Sequence, residues 1–330
     1  MIVSRRMLLV AAVAALSTVV LAPQAAWAQG YPDRAIRLIV PFAAGGNADI
    51  NGRVVADVIY KALGQPVVVE NRPGAGGGTG AEFTARATPD GYTFLVGSNG
   101  PLTVNPFVNA NVTYDPLKDF APVALISYVP HVVIIGNKLG PKTLPELIAL
   151  SKTRPITLAT SGFGSATHMT VERFKQATGA AVTHVPYKSG GSLLPDVITG
   201  NVDGAMTELS TAVELHKGGQ ALIIGVASAG RSKLAPDIAT FDEQGVKGFQ
   251  ARSFIGIVAP AKTPSEVLGK WQAAIAAGLA AGGGAAGKLT GTGSEMATPE
   301  QMTPAGFADF IRRDYEDMRA AATAAGINKK

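Results

Sequence analysis

Short apolar runs alternate with turns and amphipathic segments along most of this chain, and this alternation limits the fold more than any other feature. We predict strands over Ile36–Val40, Val67–Val69, Thr93–Val96, Val132–Ile135, Ile156–Ala159, Val182–Val185, Ile223–Val226 and Ile255–Val258. Strands separated by helices are typical of an α/β protein with largely parallel sheets. The ligand sites of such sheets lie beyond the carboxyl ends of the strands.

Helical spacing is clearest after the first strand. Apolar residues recur there at helical intervals from Ile50 to Leu63, Asn47 or Asp49 can cap the start, and Gly64 can end the helix. Further helices are predicted over Leu144–Lys152 and His168–Thr178. An Ala-rich tail over 264–325 also has a helical pattern, which is interrupted at 282–287.

The first thirty residues predict export. Arg5 and Arg6 precede an uncharged stretch over 7–22, and Ala26-Trp27-Ala28 has small residues where signal peptidase requires them. We predict cleavage after Ala28 and a periplasmic location, by the Sec route or by the twin-arginine route that the paired arginines resemble. An uncleaved membrane anchor is the alternative, but the apolar stretch is shorter than the ~20 residues that span a bilayer.

Composition excludes several classes of function. The chain has no cysteine, so disulfides, thiolate metal sites and cysteine nucleophiles are absent. Removing residues 1–28 takes away two arginines and no acid, so the net charge falls from +5 to +3. The basic residues are scattered, which argues against a nucleic-acid partner. The four histidines have no metal-ligand spacing, and we predict neither a metal nor a cofactor.

Two turns that follow predicted strands are candidates for anion binding. Residues 41–49 contain Gly45 and Gly46, whose missing side chains let a ligand approach the backbone. Residues 160–168 combine hydroxyls with Gly162 and Gly164 and lead into a helix. Backbone amides at a helix start can hold a carboxylate without lysine or arginine. Ordinary helix capping is the alternative for either turn.

The other sequence motifs are weaker indications of a function. The glycines over 74–80 resemble a phosphate loop, but no Gly-Lys-Ser/Thr follows them. A secreted hydrolase built on Ser98, Ser161 or Ser165 with His168 is a competing hypothesis. However, Val96 stands where a nucleophile elbow around Ser98 needs its first glycine. We therefore predict that the protein is not an enzyme.

From Tyr31 almost to the C-terminus the chain resembles the Bug-type periplasmic solute-binding proteins of tripartite tricarboxylate transporters. The resemblance rests on ordered segments spread over about 300 residues. They lie at 31–36, 40–46 with Asp49, 69–77, 89–93, 114–123, 185–188, 231–240 and 259–264. The chain departs from the family pattern at Ala43, Asn47, Ala48, Leu222 and Phe254.

The resemblance implies a two-lobed periplasmic-binding-protein (type II) fold, each lobe a mostly parallel sheet flanked by helices, with the ligand in the cleft between them. We expect lobe 1 to contain 29–128 and 253–330, and lobe 2 to contain 129–252, with crossovers near 127–131 and 251–254. The implied function is capture of a small carboxylate, such as a dicarboxylate or an aromatic acid, and its delivery to permease subunits by a monomeric protein. A ligand sensor for a signalling partner is the alternative.

The resemblance also implies where the ligand binds. The expected contacts in the two glycine turns are Phe42, Ala43, Ala44, Gly45, Gly46 and Asp49, and Ser161, Gly162, Gly164, Ser165, Thr167 and His168. Two further loops are expected to contribute Ser98 and Asn99, and Pro186, Tyr187 and Lys188. Because backbone groups hardly distinguish among acids, specificity requires side chains elsewhere in the cleft. We expect His131, Lys188 and Arg252 to meet a second anionic end of the ligand.

Overall fold

A computed structural model describes residues 30–280 and 283–327, and the predicted signal peptide lies outside them. Within them the strands are β1 (Ile36–Val40), β2 (Val67–Asn71), β3 (Thr93–Ser98), β4 (Phe120–Gly136), β5 (Ile156–Thr160), β6 (Val182–Pro186), β7 (Gly204–Glu208), β8 (Ala221–Val226), β9 (Arg252–Pro260) and β10 (Glu295–Met296). The α-helices are α1 (Asn47–Leu63), α2 (Gly78–Ala85), α3 (Asn105–Val108), α4 (Leu144–Ser151), α5 (Ala166–Thr178), α6 (Gly190–Thr199), α7 (Leu209–Lys217), α8 (Ser265–Gly278), α9 (Gly284–Thr290) and α10 (Pro304–Ala324). None of the helices in this part of the chain has the length and apolar character of a membrane span.

Strand β4 is shared by two sheets. The first sheet has the order β2-β1-β3-β9-β4, with β10 also on β4, and the second has the order β4-β7-β5-β6, with β8 also on β4. Strands β1 to β3 pair in parallel, as do β5 to β7. Strand β9 lies antiparallel between β3 and β4. The predicted α/β class is therefore confirmed, with antiparallel pairs where the two sheets meet.

The predicted strands correspond to β1 to β6, β8 and β9, but β7 and β10 were missed. Strand β7 has the sequence Gly-Ala-Met-Thr-Glu, which is poor in the β-branched residues that favour strands. It is nevertheless completely buried between β4 and β5. The prediction at Val132–Ile135 was too short, because Pro122 and Pro130 lie within the 17-residue strand β4. Its register with β9 shifts between Pro122 and Ala124, as proline requires.

Helix α1 ends where the sequence predicts but begins with a different cap. Gly64 has φ 76° and its amide hydrogen-bonds to Tyr60, which is the expected left-handed C-cap. The N-cap is Gly46 rather than Asn47 or Asp49, because both polar residues already lie in the first helical turn. This shift leaves the first amides of α1 uncapped by any side chain.

The apolar core follows the two sheets. In the first, Trp271 of α8 is fully buried and stacks on Phe94 of β3 with ring centroids 3.7 Å apart. In the second, Val132 and Ile134 belong to one buried cluster, while Val133 and Ile135 belong to another. Since alternate residues of a strand face opposite sides, the second sheet is covered on both faces. The C-terminal helices α8 and α10 pack against elements of the first sheet.

Candidate functional site

Three helices begin at one small cavity between the two sheets, which we call the central cavity. Gly46, Ser165 and Ser189 are the N-cap residues of α1, α5 and α6, and each lines the cavity together with the residue that follows it. The remaining lining residues are Phe42, Ala48, Ser98, Gly100, Ser161, Glu208, Ser253 and Ile255. The first amides of a helix lack carbonyl partners within the helix and carry partial positive charge. Their convergence is suited to binding an anion.

The turn before α1 is held by a buried carboxylate. Asp49 Oδ2 accepts hydrogen bonds from the Gly45 amide at 3.0 Å and from Arg53 Nε at 2.9 Å. Its Oδ1 accepts from Asn71 Nδ2 at 3.0 Å, and the same amide group donates to the Phe42 carbonyl. Burial alone would raise the pKa of Asp49, but these hydrogen bonds outweigh it and lower the pKa. Asp49 therefore shapes the turn and does not line the central cavity.

Replacing this carboxylate should loosen the turn. We expect Asp49→Asn to lower the free energy of unfolding by about 1–3 kcal/mol at pH 7, as for a lost hydrogen bond to a charged group. A native pKa below the unfolded value of about 3.9 stabilises the protein above that value and stops doing so as the pH falls through the native pKa. Denaturant unfolding at pH 7 and pH 3 should therefore show the largest difference from wild type at pH 7.

The control for this variant lies two turns along the same helix. Asp57 also pairs with a basic residue four positions on, Lys61, but at the surface. Asp57→Asn should leave the unfolding curve almost unchanged, since exposed ion pairs contribute little. Equal effects of the two substitutions at pH 7 would show that Asp49 has no special role in the turn.

The turn before α5 is fixed by its own hydroxyls. Thr167 Oγ1 accepts from the Ser161 amide at 3.0 Å, and Ser165 Oγ accepts from the His168 amide at 3.2 Å. Gly162 and Gly164 have φ values of 122° and 80°, a region that other residues rarely adopt. The His168 ring packs against Phe163 and His184, and its Nδ1 accepts from the Gly164 amide at 3.3 Å. Thr167, Gly164 and His168 thus build the turn, while Ser161 and Ser165 line the cavity.

A third turn before α6 was only partly anticipated. The sequence pointed to Pro186, Tyr187 and Lys188, but the cavity is lined by the next two residues, Ser189 and Gly190. Ser189 and Ser192 form a reciprocal capping box. A Ser-x-x-Ser pattern after a predicted strand was the signal available for this turn. Pro186, Tyr187 and Lys188 instead line a wider outer pocket of about 560 Å³.

The loops of the two sheets touch across the central cavity. The Ala43 amide donates to the Lys188 carbonyl at 3.1 Å, and Ser210 Oγ donates to Asn47 Oδ1 at 3.1 Å. A Cβ placed on Gly191 would lie 2.8 Å from the backbone of Gly45. The cavity enclosed by these contacts is about 20 Å³, room for about one water molecule. The two sheets with their helices, which we call the two halves, are thus closed on each other.

Glu208 is the cavity residue that the sequence analysis missed most clearly, because strand β7 was missed. It ends that strand, is 8% exposed, and accepts from Ser253 Oγ at 3.1 Å and from Thr207 Oγ1 at 3.3 Å. Burial raises the pKa of Glu208, and hydrogen bonds from its own backbone amide and from the two hydroxyls offset this only in part. The regular alternation of strands and helices required a strand between α6 and α7 and could have located it.

The residues expected at a second anionic end do not share one pocket. His131 and Arg252 line a separate groove of about 480 Å³ with Asn99, whereas Lys188 lines the outer pocket. Arg252 is exposed at the surface and stacks over Tyr128. Asn99 Oδ1 accepts from the Phe254 amide at 2.9 Å, which ties the loop after β3 to β9.

His131 is part of a buried polar chain next to the cavity. Its Nδ1 lies 2.8 Å from Thr170 Oγ1 and its Nε2 lies 2.8 Å from Ser253 Oγ, which also contacts Glu208. Burial lowers the pKa of His131 to about 3, so the imidazole is neutral near pH 7. A neutral imidazole offers no charge to a second carboxylate.

Of the remaining first-turn residues, Phe42 lines both the central cavity and the outer pocket, and Ala43 lines the outer pocket alone. Ala44 and Gly45 are exposed at the tip of the turn. Gly162 also lines the outer pocket. No group of three or more potential ligands for a metal ion occurs among residues 30–280 and 283–327.

Comparisons with known proteins identify the family of this chain. The sequence profile of the TctC family, described as "Tripartite tricarboxylate transporter family receptor", matches residues 52–309. The chain belongs to this receptor family. BugT of Bordetella pertussis is 36% identical over 244 residues, which cover 73% of this receptor and 75% of BugT. The resemblance inferred from the sequence is thereby confirmed.

Two solved structures are similar to this receptor over most of its length. The structure of the periplasmic binding protein BugD matches with a TM-score of 0.87 and 31% identity, covering 91% of this receptor and 100% of that chain. "R. palustris Rpa4515 with adipate" matches with a TM-score of 0.86 and 30% identity, again covering 91% and 100%. The fold of the receptor is that of the periplasmic binding proteins of this family.

Proposed function

We propose that this receptor captures a small carboxylate in the central cavity and delivers it to the permease of a tripartite tricarboxylate-type transporter. The observation that carries the proposal is the convergence of three helix N-termini on one buried cavity. Ser98 adds a hydroxyl that is buried and, among the described residues, has no hydrogen-bond partner. Adipate in the similar Rpa4515 supports the carboxylate class.

Capture requires the cleft to open and close. A cavity of about 20 Å³ is too small for a carboxylate of several atoms, so ligand must enter when the halves separate. We propose that lobe 1 (29–128 and 253–330) and lobe 2 (129–252) move about β4 and β9, which connect them. A ligand that contacts both lobes binds the closed state more tightly, and this difference shifts the equilibrium toward closure.

We also propose where this receptor works and in what form. We propose a periplasmic location for the mature chain, after cleavage following Ala28, and a monomeric, non-catalytic receptor. The family description as a transporter receptor supports delivery to a permease. A role as ligand sensor for a signalling partner remains the alternative, and it requires the same binding site.

Isothermal titration calorimetry against aliphatic and aromatic mono- and dicarboxylates tests the carboxylate proposal. We expect one-to-one binding of at least one compound, and Ser98→Ala should weaken it about 10-fold, the value of one hydrogen bond to a charged group. Ser294→Ala is a matched control, because Ser294 Oγ is also buried without a partner in the described chain but lies outside the cavity. Failure of the folded wild-type protein to bind any carboxylate would refute the proposal, and so would turnover of carboxylate esters that is lost in Ser98→Ala or Ser161→Ala.

A further inference from the structure

Glu208 is the charged side chain in the lining of the central cavity, and all its neighbours there are neutral. Its two oxygens accept hydrogen bonds from the hydroxyls of Ser253 and Thr207. None of the ion pairs within residues 30–280 and 283–327 includes it. Burial of a carboxylate without a cation is costly, because hydroxyls replace only part of the lost hydration. A ligand that supplied a positive charge would remove this cost.

The backbone holds Glu208 close to the anion-binding end of the cavity. A Cβ placed on Gly190, the first residue of α6, would lie 3.0 Å from Glu208 Oε2. Glycine at this position therefore allows the carboxylate to approach the start of α6. Glu208 lines the same enclosed space as the N-cap residues Gly46, Ser165 and Ser189.

The charges in the cavity favour one type of ligand. Three helix N-termini supply roughly +1.5 elementary charges, since each is equivalent to about +0.5. Burial alone favours the neutral form of Glu208, but a neighbouring positive charge favours the ionised form. Ionised Glu208 and the carboxylate of a ligand together exceed the charge of the three helix N-termini, and a second ligand carboxylate would add a further negative charge beside Glu208. An ammonium group instead reduces the excess and neutralises Glu208 directly.

We propose that the ligand is a small amino acid, with its carboxylate at the three helix N-termini and its protonated amine on Glu208. This inference rests on the proposed carboxylate-binding function and specifies its ligand class. Glu208 is then the residue that selects amino acids over dicarboxylates. The amine is protonated at neutral pH because alkylamines have pKa values near 10.

Isosteric compounds test this selection in the wild-type protein. Alanine, lactate and isobutyrate differ only in an ammonium, hydroxyl or methyl group, and 4-aminobutanoate, glutarate and pentanoate form a longer series. Calorimetry at pH 7 should show that the amino member of at least one series binds 10-fold or more tightly than its alkyl and carboxylate or hydroxyl counterparts. If any of these acids binds but neither alanine nor 4-aminobutanoate exceeds its counterparts by this factor, the amino-acid proposal is overturned and the carboxylate-binding function stays intact.

A variant then assigns the selection to Glu208. Glu208→Gln should remove the preference for the amine, with amino-acid affinity falling 10-fold or more and dicarboxylate affinity rising. Glu214→Gln is the matched control, because Glu214 lies on α7 with 75% of its side chain exposed. An amine preference that survives in Glu208→Gln would overturn the role of this residue. If that variant does not fold, the wild-type series alone decides between amino acids and other acids, and absence of binding by every acid would refute both proposals.

Discussion

Gly191→Ala is expected to weaken ligand binding by roughly 100-fold, about 2.7 kcal/mol, while leaving the unliganded protein folded. Gly191 lies in the first turn of α6, and its Cβ would lie 2.8 Å from both the carbonyl carbon and the oxygen of Gly45 across the cleft. Both groups belong to the backbone of the other half, so neither can move aside as a flexible side chain would. The substitution therefore acts against the closed arrangement, and affinity falls with the fraction of closed protein.

Two measurements separate this effect from a general loss of structure. Calorimetry with the tightest-binding carboxylate gives the affinity, and small-angle X-ray scattering shows whether the ligand still compacts the protein. Gly269→Ala is the control, because nothing lies within 4 Å of a Cβ at that position in α8. It should bind as wild type does and be slightly more stable, since alanine favours helix over glycine. Wild-type affinity and compaction in Gly191→Ala would contradict the closure mechanism.

Trp271→Ala should produce the largest loss of stability, about 3–5 kcal/mol. The indole is fully buried against Phe94, and its Nε1 donates to the Tyr31 hydroxyl at 2.8 Å. Removal of the ring leaves a cavity between α8 and β3, and the Tyr31 hydroxyl keeps only its hydrogen bond to the Gly91 carbonyl. For a protein of this size we expect the melting temperature to fall by on the order of 10 °C, measured by circular dichroism.

The comparison for this variant is Leu117→Ala, which removes a large apolar side chain that is 44% exposed. Its melting temperature should stay close to that of wild type, because almost half of the leucine already contacts water. If Trp271→Ala is too unstable to purify, Trp271→Phe retains the stacking and loses the hydrogen bond, so an intermediate decrease is expected. A loss below 1 kcal/mol in Trp271→Ala would show that α8 contributes little to the stability of the half that contains the first sheet.

The sequence predicted the fold more completely than the site. Apolar runs such as Ile36–Val40 and Ile156–Ala159 correspond to the observed strands within one residue, because buried strands in an α/β protein must be apolar on both faces. The two glycine turns were also identified as candidates, since a helix start with exposed backbone has a recognisable sequence. Their convergence on one cavity could not be inferred from local patterns, which carry no information on how the halves meet.

The site features that the sequence analysis missed have a common physical origin. Glu208 and Ser253 owe their positions to strand pairing, in which His131 of β4 lies opposite Glu208 of β7. An acidic residue after a weak strand pattern is usually on the surface, so its burial follows only from tertiary context. His131 was expected to meet an anion, but burial and two hydroxyl partners make it part of the supporting chain behind Ser253.

Strand β4 runs for 17 residues without a break, pairs with β9 and β10 in the first sheet, and pairs with β7 and β8 in the second. The two halves are therefore not joined by a loose tether. Loss of either sheet would strip hydrogen bonds from a strand on which the other sheet depends, and this couples the unfolding of the two halves. In the opening that we propose, separation of the halves would have to twist this continuous strand, so the backbone of β4 itself would limit how far they move apart.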